Sequence, residues 1–417
     1  MKVLHIVAGN LSGGAARGAY WLHKALVEFG IESKIWTNSK DTFSDERVYS
    51  ILKNKKENLL NFFRNQIDSN IQIFYPNRKR VIFSTGIIGV DFTKSELYKQ
   101  SDIIHLHWIN AGLVNIKHLK KIDKPIVWTM RDMWPMTGGC HYAMNCKNYK
   151  NGCGLCMQLN SKGKYDLSRF ILNRKKKYFQ KDIKIVGISK WLSDKAKESE
   201  LFREFDVQTI HNNIDTEEFL PIEKKVAKKI LGIITNKKII LCGATNIFDF
   251  YKGFSKFIDA INLFDRKKYY LCFFGKFDKE TKKLIDNLGF EYKSFGYIYD
   301  NISLRLVYSG SDVFLAPSIM DAFGKTLAES MSCGTPVVCF DATGPKDIVD
   351  NKVNGYLAKS FDTSDLAKGI EWVLNAPNYD ELCKNAREKV VREFDSKVVA
   401  GKYIRLYEEI LKGRVEH

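Results

Sequence analysis

Short apolar runs separated by stretches of helical periodicity recur along the whole chain of 417 residues, and this alternation constrains the fold more than any other feature. Runs of this kind, bounded by polar turns, are typical of parallel strands that are covered on both faces. The sequence therefore predicts an α/β fold with two doubly wound parallel sheets. In chain order the runs are Val3–Ala8, Ile35–Thr37, Ile103–Trp108, Ile126–Met130, Ile183–Ile188, Ile239–Cys242, Tyr270–Phe274, Val313–Ala316 and Pro336–Phe340.

The polar stretch His211–Asp215 contains turn-forming residues and precedes the helix-prone stretch Ile222–Leu231. We therefore expect a domain boundary there, with a Rossmann-like N-terminal domain over residues 1–215 and a Rossmann-like C-terminal domain over residues 216–396. Doubly wound sheets bind their ligands outside the carboxyl ends of the strands. The cleft between two such domains is therefore the predicted site.

The charge is unevenly distributed along the chain, which carries 66 basic and 48 acidic side chains and a net charge of +18. Residues 1–215 carry 35 basic and 20 acidic side chains, a net charge of +15, so the remainder carries +3. A basic half indicates a polyanionic partner, either an anionic membrane surface or nucleic acid, unless it is only a soluble basic surface. Met1–Ala8 lacks a signal-peptide pattern, and no apolar stretch reaches about 20 residues. We expect a cytoplasmic protein that can contact the inner face of the membrane.

A glycine-rich motif, Ser12–Gly18, lies between the first apolar run and the helical stretch Ala19–Phe29. Gly13 and Gly14 would let backbone amides approach a phosphate at a helix N-terminus, where the helix dipole favours negative charge. The spacing G-G-x-x-x-G differs from the dinucleotide-binding fingerprint. A tight strand-to-helix turn without a ligand is the alternative interpretation.

A second motif covers Pro317–Val338, where a strand ends at a Pro-Ser turn and a helix runs from near Phe323 to Cys333. Asp321 in the loop and Glu329 in the helix could both face a ligand held over the helix N-terminus. The alternative is a capping aspartate and a solvated glutamate. A bound diphosphate would lie at the amides of Phe323, Gly324 and Lys325.

This segment resembles the signature of glycosyltransferase family 4, in which E-x-F-G-x-x-x-x-E is followed by A-x-x-x-G-x-P-V-V. Trp128–Tyr142 is similar to a subset of the family that builds bacterial surface polysaccharides. The resemblance implies the GT-B architecture, with two Rossmann-like domains and an interdomain cleft. Further family markers are Gly243, Lys252-Gly253, Phe295–Tyr297, Ser311–Val313, Gly344–Ile348 and Asn213–Phe219.

The same resemblance implies retaining transfer of a hexose-type sugar from a nucleotide-diphosphate donor to a glycan or lipid-linked acceptor. No cofactor is expected for catalysis, since the leaving phosphate itself would deprotonate the acceptor. A lysine and a helix N-terminus suit a diphosphate leaving group, because they stabilise the charge that develops on it. The tail 397–417 would pack back on the first domain, and closure of the cleft would exclude water.

Individual roles also follow from the resemblance. Lys252 would hold the donor diphosphate, Asp321 would orient the sugar, and Glu329 would contact the ribose. The base would be recognised through backbone groups near Tyr297 and Ile298.

Three residues depart from the usual family pattern. Asp321 replaces a glutamate, Asn246 lies where many members have an arginine against the diphosphate, and Arg131 lies where many have a histidine. We hypothesise that Arg131 or Arg17 supplies the charge that Asn246 lacks. Arg131 is therefore grouped with Asp321 and Lys252 as catalytic, and Asn246 with the donor-binding residues.

Two histidines and four cysteines are assigned to the acceptor side. His107 and His141 either contact the acceptor or have a structural role. In a reducing cytoplasm, clustered thiols favour a four-thiolate zinc site over disulfides, with free thiols as the alternative. The cluster consists of Cys140, Cys146, Cys153 and Cys156.

The basic run Arg174–Lys177 continues a helical pattern over Leu167–Tyr178, as in a helix that rests on anionic lipid or in an ordinary packed amphipathic helix. Two other functions remain open at this point. A nucleic-acid-binding protein would explain the basic half, although no recognition motif is evident. A sugar-nucleotide-binding subunit without transfer activity would explain Asn246 and Arg131.

Overall fold

The computed structural model describes residues 1–11, 13–40 and 44–415. They form two compact units: unit 1 contains Met1–His211 and Val399–His417, and unit 2 contains Asn212–Val398. The first change of unit therefore lies four residues before the boundary expected after residue 215. Ser12 of the glycine motif and the last two residues of the tail, 416 and 417, lie outside the described residues.

Unit 1 is built on a parallel sheet with the strand order β3-β2-β1-β4-β5-β6-β7. The strands β4 and β5 are buried at every position, as expected for the middle of a sheet that is covered on both faces. The strands are β1 Lys2–Val7, β2 Glu32–Thr37, β3 Val48–Ser50, β4 Ile103–Leu106, β5 Ile126–Met130, β6 Lys184–Gly187 and β7 Val207–Thr209.

The helices of unit 1 connect these strands. Polar side chains begin most of them: Asn54, Ser95, Asp166 and Ser189 each accept a hydrogen bond from an amide of the first turn. The α-helices are α1 Gly14–Glu28, α2 Lys55–Asn70, α3 Glu96–Gln100, α4 Leu167–Tyr178 and α5 Lys190–Glu198. Short 3-10 helices cover Ile71–Phe74, Phe92–Lys94, Ile116–Lys121, Trp134–Met136 and Asn148–Lys150.

Unit 2 repeats the arrangement with a parallel sheet of order β10-β9-β8-β11-β12-β13. The strands are β8 Lys238–Asn246, β9 Tyr269–Lys276, β10 Tyr292–Ser294, β11 Val313–Ala316, β12 Val337–Phe340 and β13 Gly355–Ala358. The α-helices are α6 Lys224–Ile230, α7 Phe254–Ile261, α8 Lys279–Asn287, α9 Asn301–Ser309, α10 Lys325–Ser332, α11 Thr363–Leu374 and α12 Tyr379–Glu393. Two 3-10 helices cover Phe250–Lys252 and Gly344–Asp347.

The last helix, α13, covers Ser396–Val415, and its residues from Val399 onward belong to unit 1. Tyr403 and Tyr407 are buried in the same apolar cluster as Val3 and Leu22. Their hydroxyls are also satisfied, since that of Tyr403 lies 2.7 Å from Thr129 Oγ1 and that of Tyr407 lies 2.6 Å from His105 Nδ1. Apolar burial and buried hydrogen bonds therefore both attach this helix to unit 1.

Both sheets reverse their winding direction at one point, between β1 and β4 in unit 1 and between β8 and β11 in unit 2. Ligands of open α/β sheets bind outside the carboxyl ends of the strands at such a point. The prediction of an α/β fold with two doubly wound sheets is confirmed. In the described part of the chain, every helix is too short or too polar to cross a bilayer.

Candidate functional site

In unit 2, the loops after β8 and β11 are joined by backbone hydrogen bonds. The amides of Ile319 and Met320 donate to the carbonyl of Tyr251 at 2.8 and 3.2 Å. Gly253 follows with a left-handed φ of 67°, and a Cβ at this position would overlap the Pro317 carbonyl oxygen. Only glycine combines this backbone conformation with so close an approach. The two loops are thus held in contact at the reversal point of the sheet.

This contact brings Lys252 and Asp321 together. Lys252 Nζ donates to Asp321 Oδ2 at 2.6 Å, and the two side chains are 33% and 15% exposed. Burial opposes the charge on Lys252, but the Asp321 carboxylate outweighs burial and raises the lysine pKa. The ammonium group is therefore charged at neutral pH and points along a fixed direction.

The other oxygen of Asp321 organises the start of α10. Asp321 Oδ1 accepts hydrogen bonds from the amides of Phe323 at 3.3 Å and Gly324 at 3.1 Å. Gly324 adopts a left-handed φ of 101°, and Lys325 is the first helical residue. Two of the three amides expected to hold a diphosphate are thus engaged by Asp321, as in the capping alternative.

Glu329 lies one turn further along α10 and is only 2% exposed. Its Oε2 accepts a hydrogen bond from the Tyr308 hydroxyl at 3.0 Å. Glu329 is therefore a buried, hydrogen-bonded carboxylate and not the solvated one of the alternative interpretation. Its expected contact with a ribose stays a prediction.

A small cavity lies between the loops that follow β8 and β11. Lys252 contributes to its wall together with Ser318 and Thr326, which the sequence reasoning missed. Both hydroxyl residues lie within the second sequence motif, next to the residues selected there. Their position in the motif could therefore have identified them as candidate binding residues. An ammonium group and two hydroxyls on one cavity can together bind phosphate oxygens.

The remaining donor-side residues lie at the same edge of the sheet. Asn246 ends β8 with an exposed side chain whose Oδ1 accepts from the amide of Phe248 at 3.2 Å. Tyr297 and Ile298 follow β10 and are half-buried, and the Lys276 ammonium lies 5.5 Å from the Tyr297 ring centroid. All of these residues follow the carboxyl ends of strands, which is where the sequence predicts the ligand.

In unit 1, the glycine motif lies at the carboxyl end of β1. Gly13 is the residue before α1, and Gly14 is the first residue of that helix. A Cβ built on Gly14 would meet no atom of the described residues within 4 Å. The start of α1 is therefore sterically open, while Arg17 lies 4.5 Å from the ring centroid of Trp21.

Arg131 directly follows β5 and is 7% exposed. Burial lowers its pKa to about 10, so it remains charged at neutral pH. Its guanidinium Nη2 lies 3.2 Å from His107 Nδ1, and His107 Nε2 in turn lies 2.9 Å from His5 Nδ1. The structure thus places His107 as a buried support for Arg131, which corresponds to the structural role left open for it.

The histidine network extends to His105, whose two ring nitrogens bond the Tyr407 hydroxyl at 2.6 Å and the Thr129 hydroxyl at 2.7 Å. Burial holds the pKa of His5, His105 and His107 well below the ordinary histidine value. The sequence reasoning missed His5 and His105. The signal was available, because histidines two residues apart on one strand face the same side of a sheet.

The ring nitrogens of these three histidines lie within 4.8 Å of one another, close enough to hold a metal ion. Within the described ranges, no other group of three potential metal ligands is this close. The donor set nevertheless does not fit a metal ion. Both nitrogens of His105 are used by hydroxyls, and the Arg131 cation lies next to His107. The cluster is better described as a neutral hydrogen-bonded network.

His141 is also held in a buried network. Its Nδ1 lies 2.6 Å from Asp132 Oδ2, and its Nε2 lies 3.0 Å from Ser84 Oγ. The indole of Trp108 donates to the same Asp132 oxygen at 2.9 Å. His141 is only 3% exposed, so an acceptor contact would require this network to open.

The four clustered cysteines line one small cavity in unit 1. Burial raises the pKa of Cys140, Cys153 and Cys156, for Cys153 to about 12. No three of these sulfur atoms lie within 4.8 Å of one another, so zinc binding would require them to approach more closely. Lys175 lies nearby with a fully buried ammonium group, which four thiolates on a zinc ion would neutralise. Zinc at this cavity stays a prediction.

The structure corrects one detail of the basic helix α4. Ile171, Leu172 and Lys175 form its buried face, while Phe170 and Lys177 are exposed. Lys175 is 0% exposed and therefore cannot contact lipid. The lipid-resting interpretation of α4 loses one of its four bases, because helical geometry turns Lys175 toward the same side as Ile171.

Comparison with known proteins gives the class of this fold. Residues 223–390 match the family described as "Glycosyl transferases group 1". The chain is 22% identical over 377 residues, 84% of this chain and 85% of the relative, to the putative colanic acid biosynthesis glycosyl transferase WcaC of Escherichia coli strain K12.

Two solved structures show the same fold over nearly the whole chain. Sucrose-phosphate synthase from Thermosynechococcus elongatus has a TM-score of 0.71 at 17% identity, covering 99% of this chain and 100% of that one. Anabaena HepE in complex with UDP-glucose has a TM-score of 0.65 at 16% identity, covering 98% and 100%.

The two doubly wound units and these likenesses show that the chain has the GT-B fold. Its second unit carries the domain of the glycosyl transferases group 1 family, which confirms the recognition made from the second sequence motif.

Proposed function

We propose that this protein is a retaining glycosyltransferase. It moves a hexose-type sugar from a nucleotide-diphosphate donor to a glycan or lipid-linked acceptor in cell-surface polysaccharide synthesis. The observation that carries the proposal is the Lys252–Asp321 pair, which lies on a cavity at the reversal point of the second sheet and next to the start of α10.

The chemistry of these residues suits departure of a nucleoside diphosphate. Negative charge builds up on the leaving phosphate oxygens as the glycosidic bond breaks, and the Lys252 ammonium would stabilise it. The hydroxyls of Ser318 and Thr326 line the same cavity and can donate hydrogen bonds to phosphate. Asp321 lies within hydrogen-bonding distance of the same ammonium, so it would approach the sugar attached to that phosphate.

The similar proteins support the substrate classes. The Escherichia coli relative is named for colanic acid biosynthesis, and the Anabaena structure contains UDP-glucose. The resemblance to the retaining family supports retention of the anomeric configuration.

The first test is a thermal-shift screen with UDP-, GDP- and ADP-sugars. One donor class should stabilise the wild-type protein, by about 2.7 kcal/mol at a hundred times its dissociation constant. Lys252→Met should abolish this shift, whereas Lys368→Met, which removes an exposed lysine of the same unit, should retain it. Equal shifts for wild type and Lys252→Met would contradict the proposed site.

Transfer itself needs a second measurement with the donor that binds. Release of free nucleotide together with a product of unchanged anomeric configuration, determined by NMR, would support retaining transfer. Binding without nucleotide release in the presence of glycan acceptors would instead support the sugar-nucleotide-binding subunit considered above. An inverted product would contradict the retaining mechanism and leave the donor site intact.

A further inference from the structure

Helix α2 and the segment that follows it expose large apolar side chains on the surface of unit 1. We call this set the α2 surface, and each of its side chains is between 46% and 81% exposed. Neither the donor site nor the histidine network uses them. The α2 surface consists of Leu59, Leu60, Phe62, Phe63, Ile67, Ile73, Phe74 and Ile82.

The polarity of α2 is the reverse of that of an ordinary surface helix. Its buried residues are Asn61 and Asp68, which are polar and lie about 20° apart around the helix. Leu59, Phe63 and Ile67 follow each other at intervals of four residues and lie on the opposite side. A helix of a globular protein normally buries its apolar side and exposes its polar one.

Polar contacts hold the helix in this orientation. Asp68 Oδ1 accepts hydrogen bonds from the amides of Thr85 at 2.9 Å and Gly86 at 2.7 Å. Asn61 Oδ1 accepts from the Asn38 side chain at 3.2 Å. Because buried charge-assisted hydrogen bonds fix the inner face, the apolar side chains are kept on the outside.

The segment of the chain that contains the α2 surface is basic. The segment 53–82 carries seven lysines and arginines against two acids, a net charge of +5. One of the two acids is Asp68, which is buried, so the solvent-facing balance is more basic still. The basic residues are Lys53, Lys55, Lys56, Arg64, Arg78, Lys79 and Arg80.

We propose that the α2 surface docks on an anionic lipid bilayer, with α2 lying in the plane of the interface. A helix with apolar side chains on one side and bases around them binds at the headgroup boundary, through both apolar burial and attraction to anionic lipid. The 16 residues of α2 give a contact about 24 Å long. The positive charge of the segment 53–82 favours anionic lipid over an uncharged apolar partner.

This inference moves the membrane contact expected from the basic sequence away from α4 and onto α2. It does not depend on the proposed transfer reaction, because its residues lie in unit 1 and take no part in the donor site. Donor-induced stabilisation and vesicle binding can therefore fail separately.

The test is flotation of the full chain with vesicles of phosphatidylcholine containing phosphatidylglycerol, and with phosphatidylcholine alone. The wild type should float with the anionic vesicles, and at least tenfold more weakly with the neutral ones. The triple variant Phe62→Ser/Phe63→Ser/Phe74→Ser should lose binding at least tenfold. A matched triple variant at exposed apolar positions of unit 2, Ile234→Ser/Leu263→Ser/Ile302→Ser, should float like wild type.

The variant Lys79→Gln/Arg80→Gln tests the contribution of charge. It should bind anionic vesicles about tenfold more weakly than wild type at low salt, and the difference between the two proteins should shrink at high salt. Unchanged melting profiles and donor shifts would show that the variants are folded. The proposal is overturned if wild type does not float with anionic vesicles, or if the apolar triple variant floats equally well. It is also overturned if the α2 surface mediates self-association in solution, seen as a dimer that only this variant dissociates.

Discussion

The fully buried ammonium group of Lys175 should make the stability of this protein depend on pH. Lys175 is 0% exposed and donates hydrogen bonds to the carbonyl oxygens of Trp134 and, at 2.9 Å, Thr137. Its ammonium also lies 3.6 Å from the ring centroid of Trp134. Burial lowers the lysine pKa from 10.5 to about 7, because these carbonyls and the ring replace only part of its hydration.

The sign of the effect follows from proton binding. Between pH 7 and the ordinary lysine pKa, the unfolded chain binds a proton at this position that the folded chain has released. The free energy of unfolding therefore rises with pH in this window, by about 2 kcal/mol from pH 7 to pH 9. Below pH 7 the lysine is protonated in both the folded and the unfolded state, so its contribution to the free energy of unfolding does not change with pH.

The assay compares melting temperatures of wild type, Lys175→Met and Lys177→Met at pH 7 and pH 9, with a chelator present because thiolates on a zinc ion would stabilise the ammonium group. Methionine matches the length of lysine, and Lys177 is an exposed lysine on the same helix. Relative to Lys175→Met, the wild type should gain about 4–8 °C on going from pH 7 to pH 9.

Lys177→Met should follow the wild type throughout. The stability of Lys175→Met at a single pH is less informative. The substitution leaves two buried carbonyls without a hydrogen bond, and this destabilisation is about as large as the stabilisation gained by removing a buried ammonium group. A difference between wild type and Lys175→Met that stays constant from pH 7 to pH 9 would refute the reasoning.

Two further predictions concern the loop contact of unit 2 and the cysteine cluster. Gly253→Ala should lower the free energy of unfolding, measured in urea, by at least about 2 kcal/mol and should abolish the thermal shift caused by the donor, because its Cβ would overlap the Pro317 carbonyl oxygen. The control Gly401→Ala, in open space on a helix, should be neutral or stabilising. Metal analysis of freshly purified wild-type protein should give stoichiometric zinc. Cys153→Ser should lower the zinc content, whereas the control Cys339→Ser, in a buried strand, should leave it unchanged. Wild-type protein free of zinc would eliminate the site.

The sequence predicts the middle of each sheet more accurately than its edges. The runs Ile126–Met130 and Val313–Ala316 coincide with β5 and β11 residue for residue. The periodicity misses four strands, β3, β7, β10 and β13, and these are the outermost strands of the two sheets. An outer strand has one neighbour and is partly exposed, so it is short and carries polar residues, as in Val48–Ser50 and Tyr292–Ser294.

The donor-side residues could be predicted because their chemistry is encoded locally. Lys252 and Asp321 each follow a strand, and the sheet order brings those strands together. That Asp321 also holds the amides of Phe323 and Gly324 could not be predicted, because a capping contact and a ligand contact require the same residue types.

The basic balance of the first half of the chain overstates the charge that unit 1 presents to a partner. Arg131 and Lys175 both count toward its net charge of +15, yet they are 7% and 0% exposed. Burial next to neutral histidines and carbonyls turns these two cations into internal supports. A polyanionic partner must therefore be recognised by bases that remain at the surface. Those of the segment 53–82 accompany eight large exposed apolar side chains, whereas α4 exposes Phe170 alone among its large apolar residues. Nucleic acid would use the charge and could stack on the phenylalanines, but it would leave the five exposed leucine and isoleucine side chains in water, whereas an anionic bilayer uses the charge and all of the apolar side chains.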